Sequence, residues 1–499
     1  MGRLKAYVIG AGVAGMATAV RLAMQNMDVT IFEKNNYPGG KLNLVEAGGY
    51  RFDGGPSLFV QPEDLEELFQ AADENIHEFL HYTPVEIACK YFYEDGTVIN
   101  AYTDKVKFSK ELEDKTGEPA GAVLSYLNES KNIYEHVGDV FVNHSLHKIS
   151  TFISPAVFKA LISTRPSYIF STLHDVNARK FQHSNTVQLF DRYATYNGSN
   201  PYTAAGMFQL LPNAEHNEGV FYPEGGMISI ANALAKLAEK KGVTFRFNSA
   251  IQHIVKKENK AVGVVANGET FFADSIVSNV DAYFTYSRLL ADEHTAKRIL
   301  KRERSNSAVV FYWGIAKEFS QLDLHNIFFS EDYEAEFDSI FRKKNLCADP
   351  TVYVNITSKC EPGIHAPVGK ENWFVMINVP AGTATEDQEL IATCRANILA
   401  KLSRMLKTDI ESLIETERVL SPKLIEEQTG AYMGALYGSS SNSAAAAFLR
   451  HPNFSKDMKR LYFVGGTVHP GGGIPLCLKS AKITAGIIAS DVRKWKQND

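Results

Sequence analysis

The 499-residue chain has no block of like charge. Its 52 lysines and arginines stand against 57 aspartates and glutamates, for a net charge of −5, and no basic tract occurs. Without a cationic stripe to neutralise phosphates, nucleic acid is excluded as a partner. Cysteine is scarce: Cys89, Cys347, Cys360, Cys394 and Cys477 are odd in number, scattered and never in a CxxC pair. That pattern argues against a disulfide scaffold and a zinc site, so no metal is expected and the reducing cytoplasm is the expected compartment. No apolar run reaches the roughly 18–20 residues a spanning helix requires. No signal peptide precedes the first strand-like run, which fits the same compartment. Internal repeats and low-complexity linkers are also missing. At 45% hydrophobic and 22% charged the composition is that of an ordinary globular protein, and the length calls for two or three cores.

The strongest local signal is Ala6-Tyr-Val-Ile-Gly10-Ala-Gly12-Val-Ala14-Gly15. An apolar β-type run enters it, and a helix-forming run, Met16–Met24, leaves it. Strand, Gly-rich turn and helix N-terminus are what a dinucleotide fingerprint requires. Gly10 allows the tight turn, Gly12 the approach of a pyrophosphate, and Gly15 close helix–strand packing, with the positive end of the helix facing the phosphates. A second strand, Val29–Phe32, ends in Glu33, placed to meet the ribose hydroxyls of an adenosine half. No second strand–GxGxxG–helix unit is present for a nicotinamide cofactor.

Beyond it, Val85–Thr103 reads as two strands about the turn Glu94-Asp-Gly96, and residues 110–218 as mostly helical. Val220–Met227 leads into an amphipathic helix, Ile230–Lys240. Strands follow at Val243–Phe247, Ala250–Val255, Ala261–Ala266 and Thr270–Phe272, with a hairpin turn at Asn267-Gly268. Ser275–Asp281 then returns towards the cofactor. From 290 to 445, strands such as Ala308–Trp313, Thr351–Asn355 and Trp373–Ile377 alternate with helices such as Glu389–Met405. Ser439–Ala447 is a small-residue loop. The predicted class is α/β: a Rossmann-like cofactor domain (1–75, 219–290, 455–499), a mixed-sheet substrate domain (76–109, 291–454) and a helical part (110–218). Within the last, Ile149–Ile162 with Tyr168-Ile-Phe170 is rich in Phe and Ile, broken by Pro155 and Pro166, and flanked by Lys148, Lys159 and Arg165. It suits either a membrane interface or a core helix pair.

After Glu33 the chain continues as Glu-x5-Gly39-Gly40-Lys41 and then Phe52-Asp-Gly54-Gly55-Pro56-Ser57. This pattern resembles the FAD-binding class shared by amine oxidases, protoporphyrinogen oxidases and carotenoid desaturases. There the loop runs along the ribityl and pyrophosphate, which implies FAD contacts at Gly40, Lys41, Gly55, Pro56 and Ser57. The same class implies contacts at Ile254, beside the adenine, and at Asn279. Near the other end, Arg460–Pro475 contains Gly465-Gly466-Thr-Val-His469-Pro-Gly-Gly-Gly473-Ile474. A buried strand there ends in two glycines, crosses a Pro/Gly turn and enters a helix, whose N-terminus can face the flavin pyrimidine as negative charge gathers on reduction. The segment closely resembles the signature of the bacterial-type carotenoid (phytoene) desaturase family. Asn200-Pro-Tyr202, Ser278-Asn279-x-Asp281, His325–Phe329, Asp349–Val354 and Ala366–Gly369 agree with it. The likeness is nearest to the branch that desaturates C3–C4 of 1-hydroxylated acyclic carotenoids, with phytoene desaturases sharing the same motifs.

The resemblance implies an FAD-dependent oxidoreductase of carotenoid biosynthesis, acting on CH–CH groups of an apolar carotenoid. It implies a cytoplasmic protein attached peripherally to the membrane, with a quinone or oxygen as electron acceptor. Since the flavin carries the hard step, no triad is demanded and the catalytic residues stay unassigned. Arg179, Lys180 and His469 are candidate proton acceptors, with a surface-cation or turn-histidine role as the simpler reading of each. A flavin amine oxidase and a flavin-free prenyl-protein binder of the same fold remain the rival readings.

Overall fold

The structure, a computed structural model, describes residues 2–147, 168, 170–382, 388–443, 446 and 450–498. Five parallel strands form one sheet in the order Thr244–Arg246, Asp28–Phe32, Lys5–Ile9, Ser275–Ser278, Leu461–Phe463. Parallel strands need cover on both faces, and the two-residue alternation of the strands supplies it. Ala6, Val8, Val29, Ile31 and Val277 enter one core, while Tyr7, Ile9, Phe32 and Ile276 enter another. The first core is closed by helices Val13–Met24, Ile228–Lys240 and Ile474–Asn498. The second is closed by an antiparallel meander, Ile251–Lys257, Lys260–Ala266 and Glu269–Phe272. Asn267 and Gly268 at its turn have φ of 50° and 78°, the left-handed pair that an Asn-Gly hairpin favours. The fingerprint helix starts at Val13 rather than Met16, because Gly12 already takes the N-cap position.

A seven-stranded mixed sheet runs Ile414–Leu420, Ser307–Ile315, Glu371–Val379, Val352–Asn355, His325–Phe328, Ile87–Phe92, Val98–Tyr102. Its neighbours are antiparallel except for His325–Phe328 beside Ile87–Phe92. Trp313 and Trp373 lie opposite each other in register. With Phe311, Val352 and Val375 they pack against Ile398 and Leu402 of the helix Gln388–Leu406. Each such large side chain contributes on the order of 2 kcal/mol through burial. The opposite face carries Ala308, Val310 and Phe374, and these look into a cavity.

Helices Lys105–Thr116, Ala120–Ile133, Leu173–Lys180 and Ser184–Asp191 close the far edge of that sheet. A capping box between Thr172 and Asp175 starts the third, and the stacked rings of Phe181 and Phe190, 4.7 Å apart, bind the group together. Of the apolar stretch at 149–170, only Tyr168 and Phe170 fall among the described residues, so its expected membrane contact lies outside them. Tyr168 is buried beside Ile133 and Met207, whereas Phe170 is 85% exposed. No helix among the described residues is long and apolar enough to cross a membrane.

Candidate active site

A continuous cavity of about 760 Å³ runs from the edge of the parallel sheet to the inner face of the mixed sheet. Its first arm is built on the fingerprint turn. Gly12 caps Val13–Met24 without a side-chain bond, so the N–H groups of the first turn other than that of Gly15 are open to a ligand. Gly10, Gly12, Ala14 and Glu33 all line this arm, with Ser249, Ala250 and Ile251 at its end. Glu33 is 5% exposed. Its carboxylate accepts from the Ala11 N–H at 2.7 Å and the Asn35 N–H at 2.9 Å, which ties the second strand to the turn. Each oxygen keeps acceptor capacity for a hydroxyl.

Gly15 stands behind the arm, not in it. A Cβ there would lie 2.2 Å from the Gly10 carbonyl oxygen, so only glycine lets helix and strand meet this closely. Asn279 Oδ1 accepts from the Gly15 N–H at 3.2 Å, and its Nδ2 donates to the Val464 carbonyl at 3.1 Å. One amide thus joins the fingerprint to the C-terminal strand. Gly465 is likewise packed behind the wall, where a Cβ would lie 2.4 Å from Asn279 Nδ2.

In the middle of the cavity, Gly40, Lys41, Gly55, Pro56 and Ser57 face Gly466, Gly472, Gly473 and Ile474. A Cβ on Gly40 would sit 3.3 Å from the Gly12 Cα, and one on Gly472 would sit 2.5 Å from the Tyr437 ring. These bare backbones leave a long slot of the kind an extended dinucleotide fills. The open helix N-terminus, Glu33 and the slot together fit FAD. Lys41 Nζ donates to the Leu436 carbonyl at 2.6 Å, and burial pushes its pKa down. The helix from Ile474 carries Pro475 in its first turn and accepts its first bond from Cys477 to the Gly473 carbonyl, so its leading N–H groups have no helical acceptor.

The remaining arm lies under the mixed sheet. Ala308, Val310, Ile327, Phe374 and Met376 line one wall, and Phe141, Val142, Met207, Phe208 and Leu211 the other. Among the polar groups in this arm is a buried cluster about Arg192. Arg192 donates from Nη2 to both oxygens of Glu215, at 3.0 and 3.1 Å, and Tyr193 OH donates to the same carboxylate at 2.6 Å, joined by Tyr196 OH. Burial, the largest single influence, raises the Glu215 pKa, but Arg192, His216 and the Tyr193 and Tyr196 hydroxyls together outweigh it, and the carboxyl is held down at about 2. Nearby, Asn355 Nδ2 donates to the Leu324 carbonyl at 3.0 Å and lies 3.2 Å from His325 Nδ1. Tyr353 OH is 2.7 Å from that Nδ1 and 2.7 Å from Ser57 Oγ. Burial depresses the His325 pKa to about 4, so the ring is neutral at neutral pH.

Several expected residues stand elsewhere than the sequence implied. Ile254 does not line the cavity; it is 2% exposed in the core between the meander and the parallel sheet. Ile251, at the margin of the same core, lines the cavity instead. Arg179 and Lys180 lie in the last turn of Leu173–Lys180, away from the cavity. Arg179 donates to Ser171 Oγ at 3.1 Å and Lys180 to Glu129 at 2.7 Å. Neither is among the residues that line the cavity. His469 does line the cavity, but its Nε2–H is engaged by the His144 carbonyl at 2.8 Å, and burial holds its pKa near 4. Arg192, Glu215 and Arg450, buried at the cavity wall, were not legible beforehand, because a buried charge and a surface charge read alike in sequence.

A family model described as flavin containing amine oxidoreductase matches residues 13–489. The chain is 48% identical over 484 residues to a 1-hydroxycarotenoid 3,4-desaturase of Flavobacterium sp. (strain P99-3), covering 97% of this chain and 99% of that one. It is 31% identical over 512 residues to a phytoene desaturase of Fusarium fujikuroi, covering 97% and 89%. Among solved structures, putrescine oxidase bound to putrescine superposes with a TM-score of 0.60 at 13% identity, covering 98% of this chain and 99% of that one. That last likeness concerns the fold alone.

Proposed function

This chain belongs to the flavin-containing amine oxidoreductase family, among its carotenoid desaturases, and from that premise we propose that it removes two hydrogens across C3–C4 of a 1-hydroxylated acyclic carotenoid. It is an FAD-dependent oxidoreductase. The observation that carries the position is the 48% identity over nearly the whole of both chains. The apolar walls of the second arm and the polar groups among them support the substrate class, since a polyene with a hydroxylated end needs both.

The groups that would hold the FAD are the Gly10–Ala14 turn at the pyrophosphate, Glu33 at the ribose, and Lys41 with Gly55–Ser57 and Gly466–Ile474 along the rest. When bound, FAD supplies the two-electron oxidising chemistry. The polypeptide contributes position and exclusion of water. Val310, Phe374 and Met376 would flank one side of a flat polyene and Phe208 and Leu211 the other, which limits the orientation of its plane. The neutral His325, tied through Tyr353 to Ser57, keeps this wall free of a second net charge.

A membrane-dissolved substrate further implies docking at the bilayer surface and a quinone or oxygen as electron acceptor, both part of this proposal. The 31% identity to a phytoene desaturase favours a second reading, desaturation of phytoene. Purified enzyme supplied with liposomes of phytoene, lycopene, a 1-hydroxylated acyclic carotenoid and a control amine separates the two. Red-shifted product from the hydroxylated carotenoid alone supports the 3,4-assignment. Stepwise conversion of phytoene would replace that assignment with the second reading, and oxidation of the amine alone would defeat both.

A further inference from the structure

Arg450 is a buried cation that no anion compensates among the described residues. It is 2% exposed and lines the cavity, yet its hydrogen bonds all go to neutral groups. Nη1 donates to the Tyr437 carbonyl at 2.7 Å and the Gly466 carbonyl at 3.2 Å, and Nη2 to Ser441 Oγ at 3.2 Å. Among the described residues no carboxylate pairs with it. The charges that reach it are those of Arg304 and Arg302, of its own sign. Burial lowers its pKa only to about 10, so it stays charged at neutral pH. Two other buried arginines are neutralised: Arg192, which also lines the cavity, by Glu215, and Arg304, behind it, by Asp281 at 2.5 Å.

A buried charge without a partner is costly, and its persistence here needs a balancing anion. The place of Arg450 indicates which. It braces Gly466 at the start of the turn that leads to Gly473, and a Cβ on Gly471 would sit 3.2 Å from its Nε. The turn starts beside the fingerprint, where a Cβ on Gly465 would lie 3.9 Å from the Ala14 Cβ, and runs on to the helix N-terminus that forms the wall where the flavin ring belongs.

We propose that Arg450 is the fixed positive charge that stabilises the reduced form of the bound FAD, beyond what the N-terminus of Ile474–Asn498 supplies. It is a tuning residue for electron uptake, and the assignment holds whichever carotenoid is the substrate. Its charge, more than its hydrogen bonds, carries the effect, because all of its donors serve neutral acceptors that lysine can partly satisfy.

The test is the reduction potential of the FAD-loaded protein, read by spectroelectrochemistry. R450M should shift the reduction equilibrium at least tenfold against the reduced form, about 30 mV for a two-electron couple. R450K should keep most of the wild-type value. A second route leaves Arg450 in place. S441D puts a carboxylate against Nη2 and should lower the potential as R450M does, while S441N should not. Sulfite affinity, which rises with positive charge at the flavin, should fall in R450M and S441D together. An unchanged potential in FAD-replete R450M overturns the proposal, as do equal losses in R450K and R450M. If R450M fails to bind FAD, S441D decides: a potential equal to that of S441N overturns the proposal.

Discussion

Replacing Glu215 by Gln removes the only anion that Arg192 touches among the described residues, while keeping the size of the side chain. In the native fold this carboxylate is 1% exposed and accepts from Arg192, Tyr193 and Tyr196. Its pKa falls from an ordinary 4.5 to about 2, a difference worth about 3 kcal/mol. That agrees with the roughly 3–5 kcal/mol lost when one partner of a buried pair is removed. Against a total stability of about 5–15 kcal/mol the loss is large. With a urea slope of about 3 kcal/mol per M, the unfolding midpoint of E215Q should fall by about 1 M. The sign of the pH dependence follows from the depressed pKa. The Glu215 contribution is complete above about pH 4.5 and is lost as pH falls towards 2, so the gap between wild type and E215Q should narrow over that window. The double variant R192M/E215Q should be more stable than E215Q, because no unpaired charge remains. Midpoints for E215Q and wild type within about 0.2 M of each other at pH 7 would refute the reasoning, as would a gap independent of pH.

Gly15→Ala should yield protein with less than about a tenth of the wild-type FAD content, since the new Cβ meets the Gly10 carbonyl at 2.2 Å and pushes the helix off the strand; a fully yellow G15A preparation would contradict this. R179A and K180A should turn over carotenoid within about twofold of wild type, because neither side chain reaches the cavity and the exposed Lys180–Glu129 pair is worth about 0–1 kcal/mol; a large fall in kcat for either would restore it as a catalytic candidate. Liposome flotation should recover wild type and lose a variant with Phe152, Ile153 and Phe158 changed to Ser, because those residues supply the apolar part of the expected surface contact; equal flotation would point to another docking surface.

What the sequence determined by itself was local. Gly10 and Gly12 sit between a strand and a helix whose first turn holds Gly15, Glu33 closes the next strand, and Asn267-Gly268 makes its hairpin, because turn chemistry and helix starts depend on residues within a few positions of one another. The same holds for the turn and helix after Gly465 and for the strands around Val309, Val354 and Val375. Tertiary structure alone decided the electrostatics and the outline of the cavity. Glu215 finds Arg192 23 residues away, and Asn279 finds Gly15 across 264. Ile254 goes into the core beneath the meander, while Ile251 at its margin reaches the cavity wall. Arg179, beside a helix cap, and Arg450, buried under a glycine turn, are the same residue type in sequence; their difference is the burial that distant segments impose, and burial sets what a charge costs and what it can do.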